Sequence, residues 1–380
     1  MSQQSAAHPN EKRALFIFGT RPEAIKLAPV VRLFKQSGKI EPIVAVTGQH
    51  REMLDQVLEF FEIKPDHDLN LMTAGQSLCQ LTGRAVSGLE EVFDQVKPDI
   101  ALVQGDTTTA FTGAYVGFLK RVPVAHVEAG LRTGNRQEPF PEEINRQLVS
   151  NLADLHLCPT IMARDNLLAE GKREGIHVVG NTVIDALLEG LRILGDDWQP
   201  LVQELQAMTD PAGSVLITIH RRESFGDALN GILNAIKRLA HTHPAMSFVF
   251  PVHPNPNIRK PVIEHLGGIS NLALTDPLDY PHFIWAMSKA RLILTDSGGV
   301  QEEAPTLGIP VLVARNVTER QEGVEAGVAT LVGTHEETIF TTATRFLQGE
   351  PRHQLANPYG DGTSSKKILD LCLSTLTSIQ

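Results

Sequence analysis

The 380-residue sequence is 42% hydrophobic and 21% charged and carries a net charge of −10. That is the balance of an ordinary soluble globular protein, long enough for two domains at roughly 150 residues each. The acidic excess argues against a nucleic-acid or membrane-surface partner, so an anionic substrate would need a local basic pocket.

The first thirteen residues are polar, and the apolar run Ala14–Phe18 that follows is far shorter than the ~18 residues a membrane span needs. No signal peptide or anchor is expected. The three cysteines, Cys79, Cys158 and Cys372, are scattered and odd in number. They fit a reduced cytosol and lack paired metal-ligand spacing, so the expectation is a cytoplasmic protein with no metal.

Strand-length apolar runs alternate with helical periodicity along the chain, which predicts parallel sheets built from βαβ units. In the first half the expected strands are Ala14–Phe18, Ile43–Val46, Ile100–Val103, Val124–Val127, Leu155–Cys158 and His177–Val179. After the first of them Ala24, Leu27, Ala28 and Val31 recur at helical spacing, with Pro22 suited to the first turn. A second series is expected at Val215–Ile219, Phe248–Val252, Leu272–Leu274, Leu292–Leu294, Val311–Val313 and Thr330–Val332. The fold class is therefore α/β, with two doubly wound, Rossmann-like domains at 1–180 and 181–365 facing across a cleft. A last helix near Ser364–Leu376 fits either domain, and residues from about 366 to 380 are assigned back to the first.

Ligands of such sheets bind at the carboxyl ends of the strands. That rule selects Gly19–Lys26, where helix-start amides, Arg21 and Lys26 suit an anion; the alternative is a turn with solvated charges. Asp106 follows the third strand and either caps the next helix or serves chemistry. Glu128 ends the strand before Ala129-Gly130, where an acid has no evident structural duty. Glu142 and Glu143 open a helix whose dipole alone would favour them.

In the second series His220-Arg221-Arg222-Glu223 follows the first strand, offering a proton carrier and phosphate-neutralising cations. His253 ends the next strand. Asp296-Ser297-Gly298-Gly299 joins a strand end to a glycine turn and a helix start, the usual way main-chain amides hold a diphosphate, and Glu303 lies one turn further on. No dinucleotide fingerprint, Walker A loop, nucleophile elbow or His-Glu-x-x-His spacing occurs.

Together, Gly19–Lys26, Gln49–Leu54, Gly105–Thr109, His126–Arg132, Pro141–Arg146, Gly180–Asp185, His220–Ser224, Asp296–Pro305, Glu319-Arg320 and Asn357–Gly362 resemble the non-hydrolysing UDP-N-acetylglucosamine 2-epimerases, of GT-B fold. The resemblance spans nearly the whole chain. It implies a catalytic set of Asp106, Glu128, Glu142 and His220. It also implies substrate contacts from Arg21, Lys26, Arg221, Phe283, Ser297, Gly298, Gly299, Glu303 and Arg320. Gln49 and His253, with Glu142 and Arg221, match a second-substrate activating site of some relatives. Glu52 and Gly75 stand where regulated members carry glutamine and arginine, which leaves that regulation open. Gln104 replaces a histidine common before the Gly-Asp-Thr-Thr-Thr block, and Leu278 a uracil-contacting glutamine; neither is expected to touch the proton chemistry.

The activity implied is interconversion of UDP-GlcNAc and UDP-ManNAc by elimination to 2-acetamidoglucal and re-addition of UDP. No cofactor is needed, a homodimer is implied, and the product would supply mannosamine-type sugars for envelope polysaccharide. The rival readings are a GT-B glycosyltransferase, a non-catalytic UDP-sugar sensor, and a 2-epimerase for a modified UDP-sugar.

Overall fold

The computed structural model describes residues 12–48, 51–73, 75–209, 213–221, 226–349 and 355–378. Gln49 and Arg222 to Ser224 lie outside the described residues. The chain forms two compact units. The first runs to Ala186 and is completed by the stretch from Gly362 onward; the second is Leu187–Asp361.

The first unit holds β1 (Arg13–Phe18), α1 (Arg21–Ser37), β2 (Glu41–Val46), α2 (Arg51–Phe60), β3 (His67–Asp68), α3 (Leu78–Val96), β4 (Ile100–Gln104), α4 (Thr108–Leu119), β5 (Val124–Val127), α5 (Glu142–Leu152), β6 (Leu155–Cys158), α6 (Ile161–Ala169) and β7 (Ile176–Val178). Its seven strands lie in the order β3-β2-β1-β4-β5-β6-β7, and every pairing is parallel. Ala14 to Phe18 in β1 are fully buried because helices cover both faces of the sheet, which is why the strand is an unbroken apolar run.

Helix α7 (Thr182–Leu194) carries the chain into the second unit. There follow β8 (Ser214–Thr218), α8 (Asp227–Thr242), β9 (Ser247–Pro251), α9 (Pro256–Leu266), β10 (Leu272–Thr275), α10 (Tyr280–Lys289), β11 (Leu292–Thr295), α11 (Gly298–Glu303), β12 (Val311–Val313), α12 (Gln321–Glu325), β13 (Ala329–Leu331) and α13 (Glu336–Leu347). The order is β10-β9-β8-β11-β12-β13, again all parallel. The core forms where Leu229, Ile232, Leu233, Ile236 and Leu239 of α8 pack on Val215, Ile217, Phe248 and Phe250.

The last helix, α14 (Ser364–Ser378), belongs to the first unit and packs on α1. Asp185 fixes its start by accepting from the backbone amides of Ser364 (3.3 Å) and Ser365 (2.8 Å), a carboxylate at a helix N-terminus. Among the described residues no helix is long and apolar enough to cross a membrane.

In both sheets the strand order reverses direction between two neighbours, β1 and β4 in one, β8 and β11 in the other. At such a switch point the flanking crossovers leave on opposite faces and open a crevice at the carboxyl ends of the two strands.

Candidate active site

At the first switch point Gly19 ends β1. An added Cβ would stand 2.0 Å from Thr47 Oγ1 and 2.7 Å from Thr109 Oγ1, so only glycine lets the three loops converge. Glu23, one turn into α1, is 2% exposed. It accepts from the amides of Gly19 (2.9 Å) and Thr20 (2.7 Å) and from the Thr107 hydroxyl (2.6 Å). Burial raises its pKa against those bonds. Glu23 thereby ties the turn after β1 to the turn after β4.

Thr107, not Asp106, caps α4: its hydroxyl accepts from the Ala110 amide (3.1 Å). Asp106 is thus spared that duty. Its carboxylate pairs with Arg146, and its carbonyl accepts from Asn145 Nδ2 (2.9 Å). Burial raises the pKa of Asp106, with the neighbouring Glu128 charge adding to the effect and Arg146 opposing it.

Glu128 ends β5 with φ 65°, a left-handed conformation that costs a side-chain-bearing residue of order 1–3 kcal/mol. Its carboxylate faces the adjacent strand end at Gln104 and Gly105. Lys26 Nζ meets Oε1 at 2.5 Å, the Gln104 side-chain amide donates to Oε2, and an added Cβ at Gly105 would lie 3.7 Å from Oε2. Gln104 therefore corrects the sequence reading: this departure from the family pattern does touch the proposed proton chemistry, because β4 and β5 are paired in register at Gln104 and Val127.

Glu142 is the first residue of α5, half-buried, one turn before Asn145 and Arg146, both of which hold Asp106. Its neighbour Glu143 is fully buried and structural, accepting from the amides of Thr133 (3.1 Å) and Gly134 (3.3 Å) and pairing with Arg146. Arg21, half-buried, opens α1. The first unit thus brings Lys26, Asp106 and Glu128 together, with α5 supplying the cation that holds Asp106.

Beneath this site His126 is 1% exposed, and its Nε2–H donates to the Gly105 carbonyl (2.7 Å). Burial pushes its pKa down to about 3 and that of His156, its partner across β5 and β6, to about 4. A histidine whose folded pKa is depressed contributes stability that is full above its unfolded value near 6.5 and is lost as pH falls below that. Urea unfolding should therefore show His126 alone costing roughly 2 kcal/mol between pH 7 and pH 5. The His126→Gln variant should lose that share of the pH dependence; identical slopes would contradict this.

At the second switch point Thr218 and Thr295 bridge β8 and β11 through their hydroxyls (2.6 Å). Asp296, fully buried, follows β11. It accepts from the amides of His220 (3.0 Å) and Arg221 (2.8 Å) and meets His220 Nδ1 at 3.1 Å. Burial alone would raise its pKa, but the bond and charge of the His220 ring, with the Arg221 and His220 amides, outweigh it and the pKa is lowered. The carboxylate thus fixes the orientation of the His220 ring. The ring of His220 stacks 6.1 Å from that of the exposed His253.

Ser297 is the N-cap residue of α11 and makes no side-chain capping bond. Over its first residue two cations converge: an added Cβ on Gly298 would lie 3.5 Å from the Arg320 guanidinium carbon and 3.6 Å from a terminal nitrogen of Arg221. Glu302, 3% exposed, holds Arg320 through Nε at 2.5 Å. Glu303 turns back on the same helix start, its Oε2 3.7 Å from the equivalent point on Gly299. Phe283 is half-buried on α10.

Sequence reasoning assigned no role to Arg146, Asp296 or Glu302, though each lies inside a motif it singled out. Arg146 stands at i+4 from Glu142 and Asp296 directly after a strand, which was the signal. Among the described residues no three His, Cys, Asp or Glu side chains are grouped to hold a metal ion.

One switch point carries strained and paired acids, the other amides, arginines and a carboxylate-backed histidine. Two doubly wound units in one chain are the build of GT-B-type proteins, the fold of the solved structures this chain resembles. A family model described as UDP-N-acetylglucosamine 2-epimerase matches residues 32–373, and the chain belongs to that family. The Escherichia coli K12 UDP-N-acetylglucosamine 2-epimerase is 49% identical over 368 residues, covering 94% of this chain and 97% of that protein. The crystal structure of the Neisseria meningitidis UDP-GlcNAc 2-epimerase bound to UDP-GlcNAc is 44% identical with a TM-score of 0.82, over 95% of this chain and 100% of that one. The Methanocaldococcus jannaschii enzyme in complex with UDP-GlcNAc and UDP is 33% identical with a TM-score of 0.77, over 95% and 99%.

Proposed function

We propose that the protein interconverts UDP-N-acetylglucosamine and UDP-N-acetylmannosamine without hydrolysis. The C2 proton is not next to a carbonyl, so direct abstraction would leave an unstabilised carbanion. Breaking the C1–O bond builds oxocarbenium character at C1, which acidifies C2–H and permits elimination. A base takes the C2 proton, that electron pair becomes the C1=C2 bond of 2-acetamidoglucal, and UDP leaves with the C1–O pair. Return of UDP to C1 with protonation of the opposite face of C2 gives the epimer.

Two acids on opposite faces and a cationic cradle for UDP are required. Glu128 is the abstracting base in this reading, and Asp106 or Glu142 returns the proton. Arg21 and Lys26 lie at the substrate, while His220, Arg221, Arg320 and the Ser297–Gly299 amides hold the diphosphate, with Phe283 and Glu303 toward the nucleoside. The observation that supports this best is the division of labour between the two switch points. Closure of the two units over the substrate, needed to retain a free glucal, belongs to the same proposal, as does a second substrate molecule at Gln49, Glu142, Arg221 and His253.

We further propose a homodimer. Tyr115, Phe118 and Leu119 form an exposed stripe on α4, and Leu148 is exposed on α5, which packs on α4, the kind of apolar face that monomers rarely leave uncovered. A single-chain mass by light scattering would refute it. The three free cysteines suit the reducing cytoplasm, where the product would feed envelope polysaccharide synthesis.

A glycosyltransferase of this fold needs an acceptor and an epimerase does not. Proton NMR of UDP-N-acetylglucosamine incubated with the protein alone should show UDP-N-acetylmannosamine appearing. Absence of the epimer, with sugar transfer once an acceptor is added, would favour the glycosyltransferase.

A further inference from the structure

The block Asn357–Gly362 marks the family resemblance, yet nothing in the chemistry above uses it. In the second unit it closes a ring of hydrogen bonds. The Tyr359 hydroxyl donates to the Arg320 carbonyl (3.2 Å) and accepts from the Gly323 amide (3.0 Å). Arg320 Nε donates to Glu302 Oε1 (2.5 Å). Asn357 Nδ2 donates to the Glu302 carbonyl (2.8 Å) and to Thr306 Oγ1 (2.7 Å). The Tyr359 amide returns to Asn357 Oδ1 (3.0 Å). One short segment thus grips the main chain of Arg320 and also the main chain of the acid that holds the Arg320 side chain.

The hydroxyl's placement is what a packing role does not explain. Tyr359 is 2% exposed, and its ring fits against α12 because residue 323 is glycine, where an added Cβ would sit 3.0 Å from the hydroxyl oxygen. Phenylalanine would fill the same space without bringing a polar atom into a dry interior, which is costly unless that atom is bonded. Both bonds go to the N-terminal end of α12, where Arg320 is the N-cap residue. Burial pushes the phenol pKa up, so it stays a donor at any working pH.

We infer that Tyr359 is a positioning residue for the nucleotide, setting the Arg320 guanidinium above the start of α11 through the ring that Asn357 and Glu302 complete. The inference rests on the reading of that helix start as the diphosphate site. A diphosphate is held there before, during and after the chemical step, so loosening Arg320 weakens ground state and transition state alike, and the cost falls on KM more than on kcat.

Calorimetry of UDP binding to the full-length protein, with steady-state kinetics, tests this on Tyr359→Phe. The expected result is UDP affinity about 10-fold weaker, KM raised by a similar factor and kcat within about two-fold of the parent. In an Arg320→Ala background the same substitution should cost no further UDP affinity, because its effect passes through the arginine. A purely structural tyrosine would not give that coupling. Unchanged UDP affinity in Tyr359→Phe, or an undiminished further loss on the Arg320→Ala background, overturns the inference. If Tyr359→Phe shows no cooperative melt, Asn357→Ala, which opens the same ring elsewhere, is measured the same way, and parental UDP affinity there overturns it as well. Failure of the unaltered protein to bind UDP would instead remove the diphosphate site itself.

Discussion

Glu128→Gln is expected to lower turnover by about 100-fold or more, the usual scale for a lost general base, while UDP affinity stays within about two-fold of the parent. The substitution keeps side-chain length and removes the charge. In the unaltered protein one carboxylate oxygen faces Lys26 and the other the Gln104 amide. A neutral amide cannot accept a proton from carbon, and its NH2 group would face one of these two donors. The groups proposed to hold the diphosphate lie in the other unit, so a binding change should not accompany the rate loss. Steady-state turnover by NMR and UDP titration by calorimetry check the two halves; near-parental turnover would strip Glu128 of the role.

Asp296→Asn should lower kcat/KM by about 10- to 100-fold, the scale of a lost charge-assisted hydrogen bond, because it loosens the histidine proposed to hold the diphosphate, and should also destabilise the protein. An asparagine offers one acceptor where the carboxylate now receives the His220 and Arg221 amides and faces His220 Nδ1. Leaving buried donors unpaired costs about 1–3 kcal/mol each. Because the Asp296 pKa is depressed in the fold, its stabilising contribution is present above the unfolded carboxylate range and disappears as pH falls through the folded value. The variant should therefore lose stability at neutral pH and resemble the parent more closely in acid. Urea melts at pH 7 and at about pH 3, below the ordinary aspartate value, with matched kinetics test this, and equal destabilisation at both would contradict it.

Much of the fold was legible because parallel strands buried on both faces must be apolar throughout. Ala14–Phe18, Ile100–Val103 and Val311–Val313 announce themselves in that way. The two-residue strand at His67–Asp68 does not: its pairing with Ala45 and Val46 is made by main chain, and neither side chain is apolar. Strand limits moved by a residue or two where polar positions such as Ser214 and Ser247 join the ladder.

The candidate acids were visible as charged residues at strand ends, where a structural duty is hard to find. Their partners were not. Lys26 lies 102 positions before Glu128 in sequence, and Arg146 lies 40 after Asp106, so only the sheet order brings them within reach. Gln104 was read as a replacement that leaves the proton chemistry untouched. In the sheet its amide reaches the acid proposed to do the chemistry, a relation that register alone creates.

In the proposed reaction one protein base takes the C2 proton and a second group delivers a solvent-exchangeable proton to the opposite face. Running the reaction from UDP-N-acetylglucosamine in D2O and following the C2 proton signal tests it most directly. UDP-N-acetylmannosamine should form with deuterium at C2 from the first turnovers. An epimer that keeps its original protium at C2 would contradict the account.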